Sequence, residues 1–281
     1  MRITESEKRK IAEGHSAQPL LLWTGSKKWL VEREELMLAP EKYNNYHELF
    51  LGCGALFFKI RPTKRIFLND LNSDLINTYK QVRDNPGRLI ANLKKAKNTR
   101  EDYYKIRASK PHGKISQAGR FIYLNRTCFN GIYRVSPKGN FNVPYGNRKS
   151  VDIVTSMKIR AASSALKFCE LSSEHFSRRL RYIKNKDYVF LDPPYTVTHN
   201  NNGFVSYNSK LFSTEDQLNL VIFIEKLIRR GAYFMLTNAD HPVIRDLYGS
   251  LGEIVSIGRK SIVGGRLHTR GQFREIIVRN F

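Results

Sequence analysis

Cysteine is scarce in this chain of 281 residues. Its three copies, Cys53, Cys128 and Cys169, are odd in number and widely spaced. That argues against a disulfide framework or a cysteine-rich metal site, and it fits a reducing cytoplasm. Long hydrophobic runs are lacking too. No apolar stretch approaches membrane-spanning length, and Leu20-Leu21-Leu22-Trp23 is too short for a signal-peptide core. His175 has no partner cluster, so nothing points to a metal. There are no internal repeats and no Pro/Ser-rich linker. Acidic residues are few beside the basic ones, 25 against 48, for a net charge of +23. An excess that large suggests a polyanionic partner, nucleic acid before anionic membrane. A generally basic proteome is the bland alternative. Hydrophobic content of 41% excludes a disordered tail, and the length suits one large domain or two.

The most informative stretch is Asp192-Pro193-Pro194-Tyr195. It ends the apolar run Tyr188-Val189-Phe190-Leu191, which reads as a buried strand, and Asn200 to Gly203 reads as loop. The carboxyl ends of strands are where open α/β sheets bind ligands. The four residues suit gripping a flat base with an exocyclic amine. Asp192 can accept one hydrogen bond from the amine and the Pro193 carbonyl a second. Tyr195 can stack on the ring. Two acceptors on the amine hydrogens favour its pyramidal, nucleophilic form. A strand end followed by a plain Pro-Pro turn is the simpler reading.

Upstream, Met1 to Ala17 is polar and reads as a mobile arm. In Trp23-Thr24-Gly25-Ser26-Lys27-Lys28-Trp29, the Gly-Ser pair permits a tight turn. Lys27 offers a cation for a carboxylate and Trp23 a flat face; otherwise Lys27 and Lys28 are simply solvated. Tyr46 to Leu51 reads as a strand ending in Gly52-Cys53-Gly54, with a helical start over Ala55 to Ile60. A glycine turn there lets a ligand approach the backbone. Arg65 to Leu68 reads as a second strand ending at Asn69-Asp70. Asp70 lies 18 residues after Gly52, where an acid can hold ribose hydroxyls. Asn72 to Arg83 reads as a helix, with Asn72 or Ser73 as its cap.

Basic helical stretches follow over Asn85 to Lys114, then a helix over Gln117 to Thr127 with Arg120 and Arg126. In Cys128-Phe129-Asn130-Gly131-Ile132-Tyr133-Arg134, Asn130-Gly131 is a turn. Tyr133 to Val135 and Phe141 to Val143 flank a second turn at Ser136 to Asn140, so the segment reads as a β-hairpin. It closes on Pro144 to Lys149, with Arg148. Aromatics interleaved with cations suit nucleic acid; an ordinary surface hairpin is the alternative. Val151 to Leu166 reads as a helix and Phe168 to Leu171 as a short strand. Arg178, Arg179 and Arg181 share a helical stretch. Tyr207 can close over a ligand or merely pack on its neighbours. A helix runs from the Ser213-Thr214-Glu215-Asp216 cap through Arg230, with Gly231 as its stop. Its positions Leu218, Val221, Ile222, Ile224 and Ile228 suit packing on a sheet. Tyr233 to Thr237 is a strand. Ile254 to Ile257 and Glu275 to Val278 are late strands around a Gly- and Arg-rich loop, Arg259 to Arg270.

Four segments together resemble the Dam-type DNA adenine methyltransferases of class alpha motif order, over about Leu22 to the C-terminus. They are Trp23 to Lys27, Glu48-Leu49-Phe50-Leu51-Gly52-Cys53-Gly54, Tyr123 to Gly146, and Asp192 to Tyr195. The resemblance implies an α/β, Rossmann-like methyltransferase sheet with one late antiparallel strand. It implies an inserted helical target-recognition domain carrying a β-hairpin. Residues 1–17 are then an arm, 18–77 and 153–281 the catalytic domain, and 78–152 the target-recognition domain. The implied cofactor is S-adenosyl-L-methionine. By match, Trp23, Gly25 and Lys27 line its methionine end, with Gly52 and Gly54 in the turn. Phe50 packs near it, Asp70 holds the ribose, His175-Phe176 meets the adenine, and Asp192 and Tyr207 complete the set. Phe129 would wedge where the target base leaves the helix, and Asn130 would hold the vacated site. Ile132 and Pro144 would touch thymine methyls, Arg134 would grip a guanine, and Arg148 a phosphate or flanking base. Some relatives carry a lysine immediately before the tryptophan, which reads the first guanine of GATC; here Leu22 stands there.

The expected activity is therefore adenine N6 methylation of flipped bases in double-stranded DNA, at GATC or a related site. Asp192, Pro193, Pro194 and Tyr195 form the catalytic set. No metal and no membrane are expected, and the location is a DNA-associated cytoplasmic one. A restriction-modification, regulatory or phage role stays open; the first would bring a cognate restriction endonuclease acting on the same site. Rival readings are a binding protein on an inert methyltransferase fold, and methylation of single-stranded DNA or RNA.

Overall fold

The structure, a computed structural model, describes residues 17–148, 150–196, 212–260 and 272–281. The N-terminal arm up to residue 16, the Asn200 to Gly203 loop, Tyr207 and most of the Gly- and Arg-rich loop lie outside the described residues. No helix among the described residues is long and apolar enough to cross a membrane. The chain falls into two compact units, one of Met1–Val31, Gly52–Arg61 and Asn72–Ser173, the other of Glu32–Leu51, Pro62–Leu71 and Glu174–Phe281.

The sheet has seven strands: β1 (Tyr46–Glu48), β2 (Ile66–Asn69), β3 (Cys169–Ser172), β4 (Tyr188–Leu191), β5 (Tyr233–Ala239), β6 (Glu253–Lys260) and β7 (Gln272–Arg279). All but β3 belong to the second unit, in the order β2-β1-β4-β5-β7-β6. The first four of these are parallel, with Glu48 level with both Leu68 and Phe190, and Leu191 level with Leu236. β1, β2 and β4 are buried at every position, as short apolar runs in a covered parallel sheet should be. β7 is antiparallel to both β5 and β6, which meets the expectation of one reversed late strand.

The helix Thr214–Arg229 covers one face of this sheet. Ser213 caps it: its hydroxyl accepts from the Asp216 N–H, while the Asp216 carboxylate accepts from the Ser213 N–H. Gly231, at φ +68°, follows its end. The buried face is Leu220, Phe223, Ile224 and Leu227, packed with Val189, Leu191, Phe234, Leu236, Ile276 and Val278. That corrects the sequence expectation, because Leu218, Ile222 and Ile228 are exposed. Leu218 and Ile222 lie among the exposed polar residues Glu215, Asn219, Glu225, Lys226 and Arg229, on the side away from the sheet, while Ile224 is buried as expected.

In the first unit, the helix Lys114–Thr127 buries Ala118, Phe121, Ile122, Tyr123 and Leu124. Gly119 lets the helix Pro86–Leu93 approach closely, for a Cβ there would stand 2.0 Å from Asn92 Oδ1. Arg120 donates to the carbonyls of Ile106 and Arg107, closing the end of the helix Arg100–Ala108. Asn72 caps the helix Ser73–Asp84 by accepting from the Leu75 N–H. The helix expected from Val151 starts only at Ser156. The expected hairpin is present as isolated bridges, Cys128 with Tyr145 and Val135 with Phe141, rather than as paired strands. Asn130 and Gly131 both take positive φ, and Pro137 and Pro144 lack an N–H, so no regular ladder can run through them.

At the amino ends of β1 and β4, Asp187 is sealed in with His47. Nε2 of His47 lies 3.0 Å from Asp187 Oδ2, and the backbone N–H groups of Asn45 and Lys184 donate to the same carboxylate. Burial raises the carboxyl pKa, but these donors outweigh it and the net direction is downward. Its stabilising contribution is therefore complete above the unfolded value, near ~4, and is lost as pH falls through the lower folded value. Urea melts should show Asp187→Asn less stable by about 3 kcal/mol at neutral pH. The gap should narrow below pH ~4; a gap constant with pH contradicts this assignment.

Candidate active site

The parallel pairing brings several sequence-flagged residues to one edge of the second unit. The chain runs from β1 out to β2 and returns on the other side of β1 as β4, so this is the reversal point where α/β sheets bind ligands. Phe50 follows β1, Asp70 follows β2 and Asp192 follows β4, each partly buried. Phe50 lies against Phe176 and edge-on to Phe212, with ring centroids 5.6 and 5.8 Å apart. Phe176 itself is deep in the core, while the partly exposed His175 packs on it at 4.4 Å. His175 Nδ1 is 2.8 Å from Ser177 Oγ.

The Asp192–Tyr195 segment is braced at both ends. The Thr237 hydroxyl, on β5, donates to Asp192 Oδ1 at 2.8 Å. The Tyr195 hydroxyl donates to Glu275 Oε2, on β7, at 2.6 Å. Pro193 between them is buried and Pro194 partly so. Beside Asp70, the Asn69 amide donates to the carbonyls of Leu49 and Glu174, and its oxygen accepts from the Glu174 N–H. One buried side chain thus locks the end of β1 to the segment leading into His175-Phe176. Sequence reasoning missed Asn69, Thr237 and Glu275 as site-forming residues. Only Asn69 gave a signal, as a polar residue closing the apolar run Ile66-Phe67-Leu68; Thr237 and Glu275 each have a polar neighbour, Asn238 and Arg274.

In the first unit, Trp23 to Lys27 forms a tight turn, with the Ser26 N–H donating to the Trp23 carbonyl and Gly25 at φ +81°. Lys27 is only 4% exposed, and its Nζ donates to the Gly25 carbonyl at 2.9 Å. Gly52 and Gly54 take φ +48° and +68°. The Trp23 ring lies against Gly52, where a Cβ would meet it at 2.8 Å. The same ring stacks on Tyr133 at 5.7 Å. Leu22 is pressed on Gly131, and the buried Asn125 side chain bonds the Leu22 N–H, the Leu22 carbonyl and the Gly131 carbonyl. Asn125 therefore ties the segment before Trp23 to the turn at Phe129-Asn130-Gly131.

On that turn Phe129, Asn130, Arg134 and Pro144 are exposed and Ile132 is partly buried. The Phe129 N–H donates to the Pro144 carbonyl at 2.9 Å, which keeps these two residues adjacent. Arg134 Nε donates to Asn142 Oδ1 at 2.8 Å across the turn, so the guanidinium is held from behind. Arg148 points inward and donates to the carbonyls of Arg126 and Cys128. Burial pushes the Cys128 thiol up to about 11 and the Cys169 thiol up to about 12, so neither is a nucleophile at neutral pH. Among the described residues no group of His, Cys, Asp and Glu could hold a metal ion.

A mixed sheet of this order, with an acid and two prolines at the end of its fourth strand, is that of a Rossmann-like methyltransferase. Residues 23–262 match the family described as D12 class N6 adenine-specific DNA methyltransferase, and the chain belongs to that family. It is 37% identical to the type II methyltransferase M1.LlaDCHI of Lactococcus lactis subsp. cremoris, over 94% of this chain and 95% of that one. It is 31% identical to the type II methyltransferase M.MjaIII of Methanocaldococcus jannaschii, over 94% and 99%. The DNA adenine methylase of Escherichia coli K12 is 28% identical, over 81% and 83%.

Replacing Asn125 by Ala strands the Leu22 and Gly131 carbonyls and should cost about 1–3 kcal/mol. The chain has two tryptophans, so the loosened turn should also shift the emission from Trp23. Unchanged melting temperature and unchanged fluorescence would show that Asn125 does not hold this segment.

Proposed function

We propose that this protein methylates the N6 amine of adenine in duplex DNA at one short sequence, with S-adenosylmethionine as the methyl donor. The observation that carries the reading is Asp192 at the carboxyl end of β4, its carboxylate oriented by Thr237, on the same strand edge as Asp70. The residues present suit the donor. Asp70 is an acid placed for ribose hydroxyls, His175 offers a ring face for an adenine, Phe50 an apolar face near the methionine end, and Lys27, in its tight turn with Trp23 and Gly25, offers a cation for a carboxylate. Gly52 and Gly54, both at positive φ, keep their own turn free of side chains. When bound, S-adenosylmethionine supplies a methyl group activated by the positive charge on sulfur.

The protein's own task is then positioning. The target adenine leaves the duplex at a cost of a few kcal/mol. Phe129 and Asn130 fill and hold the vacated place, Ile132 and Pro144 contact neighbouring thymine methyls, and Arg134 reads a guanine edge. Arg148 serves at the root of this turn and contacts a phosphate only after releasing its carbonyls. Asp192 and the Pro193 carbonyl accept the two amine hydrogens while Tyr195 covers the ring. The N6 lone pair forms the new N–C bond as the C–S bond breaks and its electron pair stays on sulfur. The resulting ammonium loses its proton to water, so Asp192 need not act as a strong base. Residues 78–152 serve as the target-recognition domain.

The recognition site is GATC or a relative of it. Leu22 offers no donor to a guanine, so the first base is read by another group or left open. The type II relatives favour a restriction-modification setting, with a cognate endonuclease acting at the same site.

Asp192→Ala should reduce methyl transfer to duplex DNA by about a hundredfold or more, while duplex binding by gel shift stays near wild type. Transfer that survives the substitution would overturn the assignment. Arg134→Ala should cost about 1–3 kcal/mol of discrimination at one guanine position. Competition between matched and single-base-altered duplexes checks this. Equal losses on every sequence would make Arg134 a phosphate contact instead.

A further inference from the structure

We infer that Glu275 is a positioning residue for methyl transfer and that it acts through Tyr195; the inference rests on Asp192–Tyr195 being the segment that holds the target base. Glu275 is an acid only 3% exposed, and it directly precedes the buried run Ile276-Ile277-Val278 on β7. It stands level with Ala239 at the carboxyl end of β5 and with Ile257 on β6. The Asp240 N–H donates to the Arg274 carbonyl at 3.0 Å, which fixes the backbone immediately beside it. The buried carboxylate accepts from the Tyr195 hydroxyl at 2.6 Å, the length of a charge-assisted bond.

Two effects on Tyr195 follow. The first is orientational. A ring pinned at its hydroxyl keeps one plane, so the face offered to a flipped base is set before the base arrives. The second is electronic. A phenol that donates to a carboxylate carries more negative charge on its ring face, and a ring face attracts cations. The amine becomes an ammonium during transfer, so the attraction grows as the N–C bond forms. A group that favours the charged amine over the neutral one lowers the barrier rather than the ground state. Thr237 does for the acid at one end of the segment what Glu275 does for the ring at the other, and only Glu275 adds a charge.

The test is single-turnover methyl transfer to a matched duplex, with labelled S-adenosylmethionine at saturation, for the wild type, Glu275→Gln, Tyr195→Phe and the double variant. Glu275→Gln keeps an acceptor and loses the charge. Its rate constant should fall about tenfold while half-saturation by DNA moves less than about twofold. Tyr195→Phe should fall comparably, and the double variant should be no slower than Tyr195→Phe alone. Losses that multiply in the double variant, or a wild-type rate in Glu275→Gln, would overturn the proposal. If Glu275→Gln does not fold, Tyr195→Phe carries the test: a rate within about twofold of wild type overturns it. Failure of the base-holding assignment itself reads differently, as transfer retained by Asp192→Ala.

Discussion

The pairing of β1 with β2 on one side and β4 on the other is the constraint on which the chemistry depends. Because these strands and β5 run parallel, their carboxyl ends share one edge, and Phe50, Asp70 and Asp192 arrive there from distant parts of the sequence. Register matters as much as order. A one-residue slip of β4 against β5 would turn Asp192 away from the Thr237 hydroxyl and send the strand's side chains to the opposite faces. The burial of β1, β2 and β4 on both sides makes such a slip costly. The reversed strand β7 then delivers Glu275 to the same edge, which a parallel neighbour at that place would not do by the same short route.

Charge is used differently inside and outside this molecule. The excess of 23 positive charges overstates the cations offered to phosphate, since several arginines of the first unit are turned inward. Arg120, Arg126 and Arg148 donate to backbone carbonyls, where they close helix ends and brace the turn at Phe129 to Gly131. The acids are few, and those buried in strands are engaged. Glu48 accepts from the Tyr46 hydroxyl at 2.7 Å, and burial, then Glu48, pushes that phenol far above its ordinary range. Asp187 is held by four donors around it. A basic protein that keeps carboxylates in its sheet spends them on fixing strands and on its site.

Much of this was legible in the sequence where the signal is local. The apolar run before Asp192 marks a strand end, the glycine turn and Asp70 mark two more, and Asn72 and Ser213 announce helix starts by their own side chains. Pairings between distant residues were not legible. Thr237 and Asp192 are 45 residues apart, Tyr195 and Glu275 80, Leu22 and Asn125 103. No window of sequence contains both partners. On the helix Thr214–Arg229 the reading held at Ile224 and missed at Leu218 and Ile222, apolar residues that stand among polar ones on its exposed side. Arg148 shows the same limit in charge: an exposed-looking cation in a basic segment is bound to carbonyls that only the fold brings within reach. The hairpin expected over Tyr133 to Val143 is present only as isolated bridges, and the absence of a ladder follows from prolines and left-handed residues acting together.

Unmethylated genomic DNA should be incubated with the purified protein and S-adenosylmethionine, and every modified base mapped by sequencing. The account requires N6-methyladenine confined to one short motif, with Leu22 and the turn at Phe129 to Arg134 setting how strictly its flanks are read. Methyl groups on cytosine, or adenines modified without any common sequence, would contradict it.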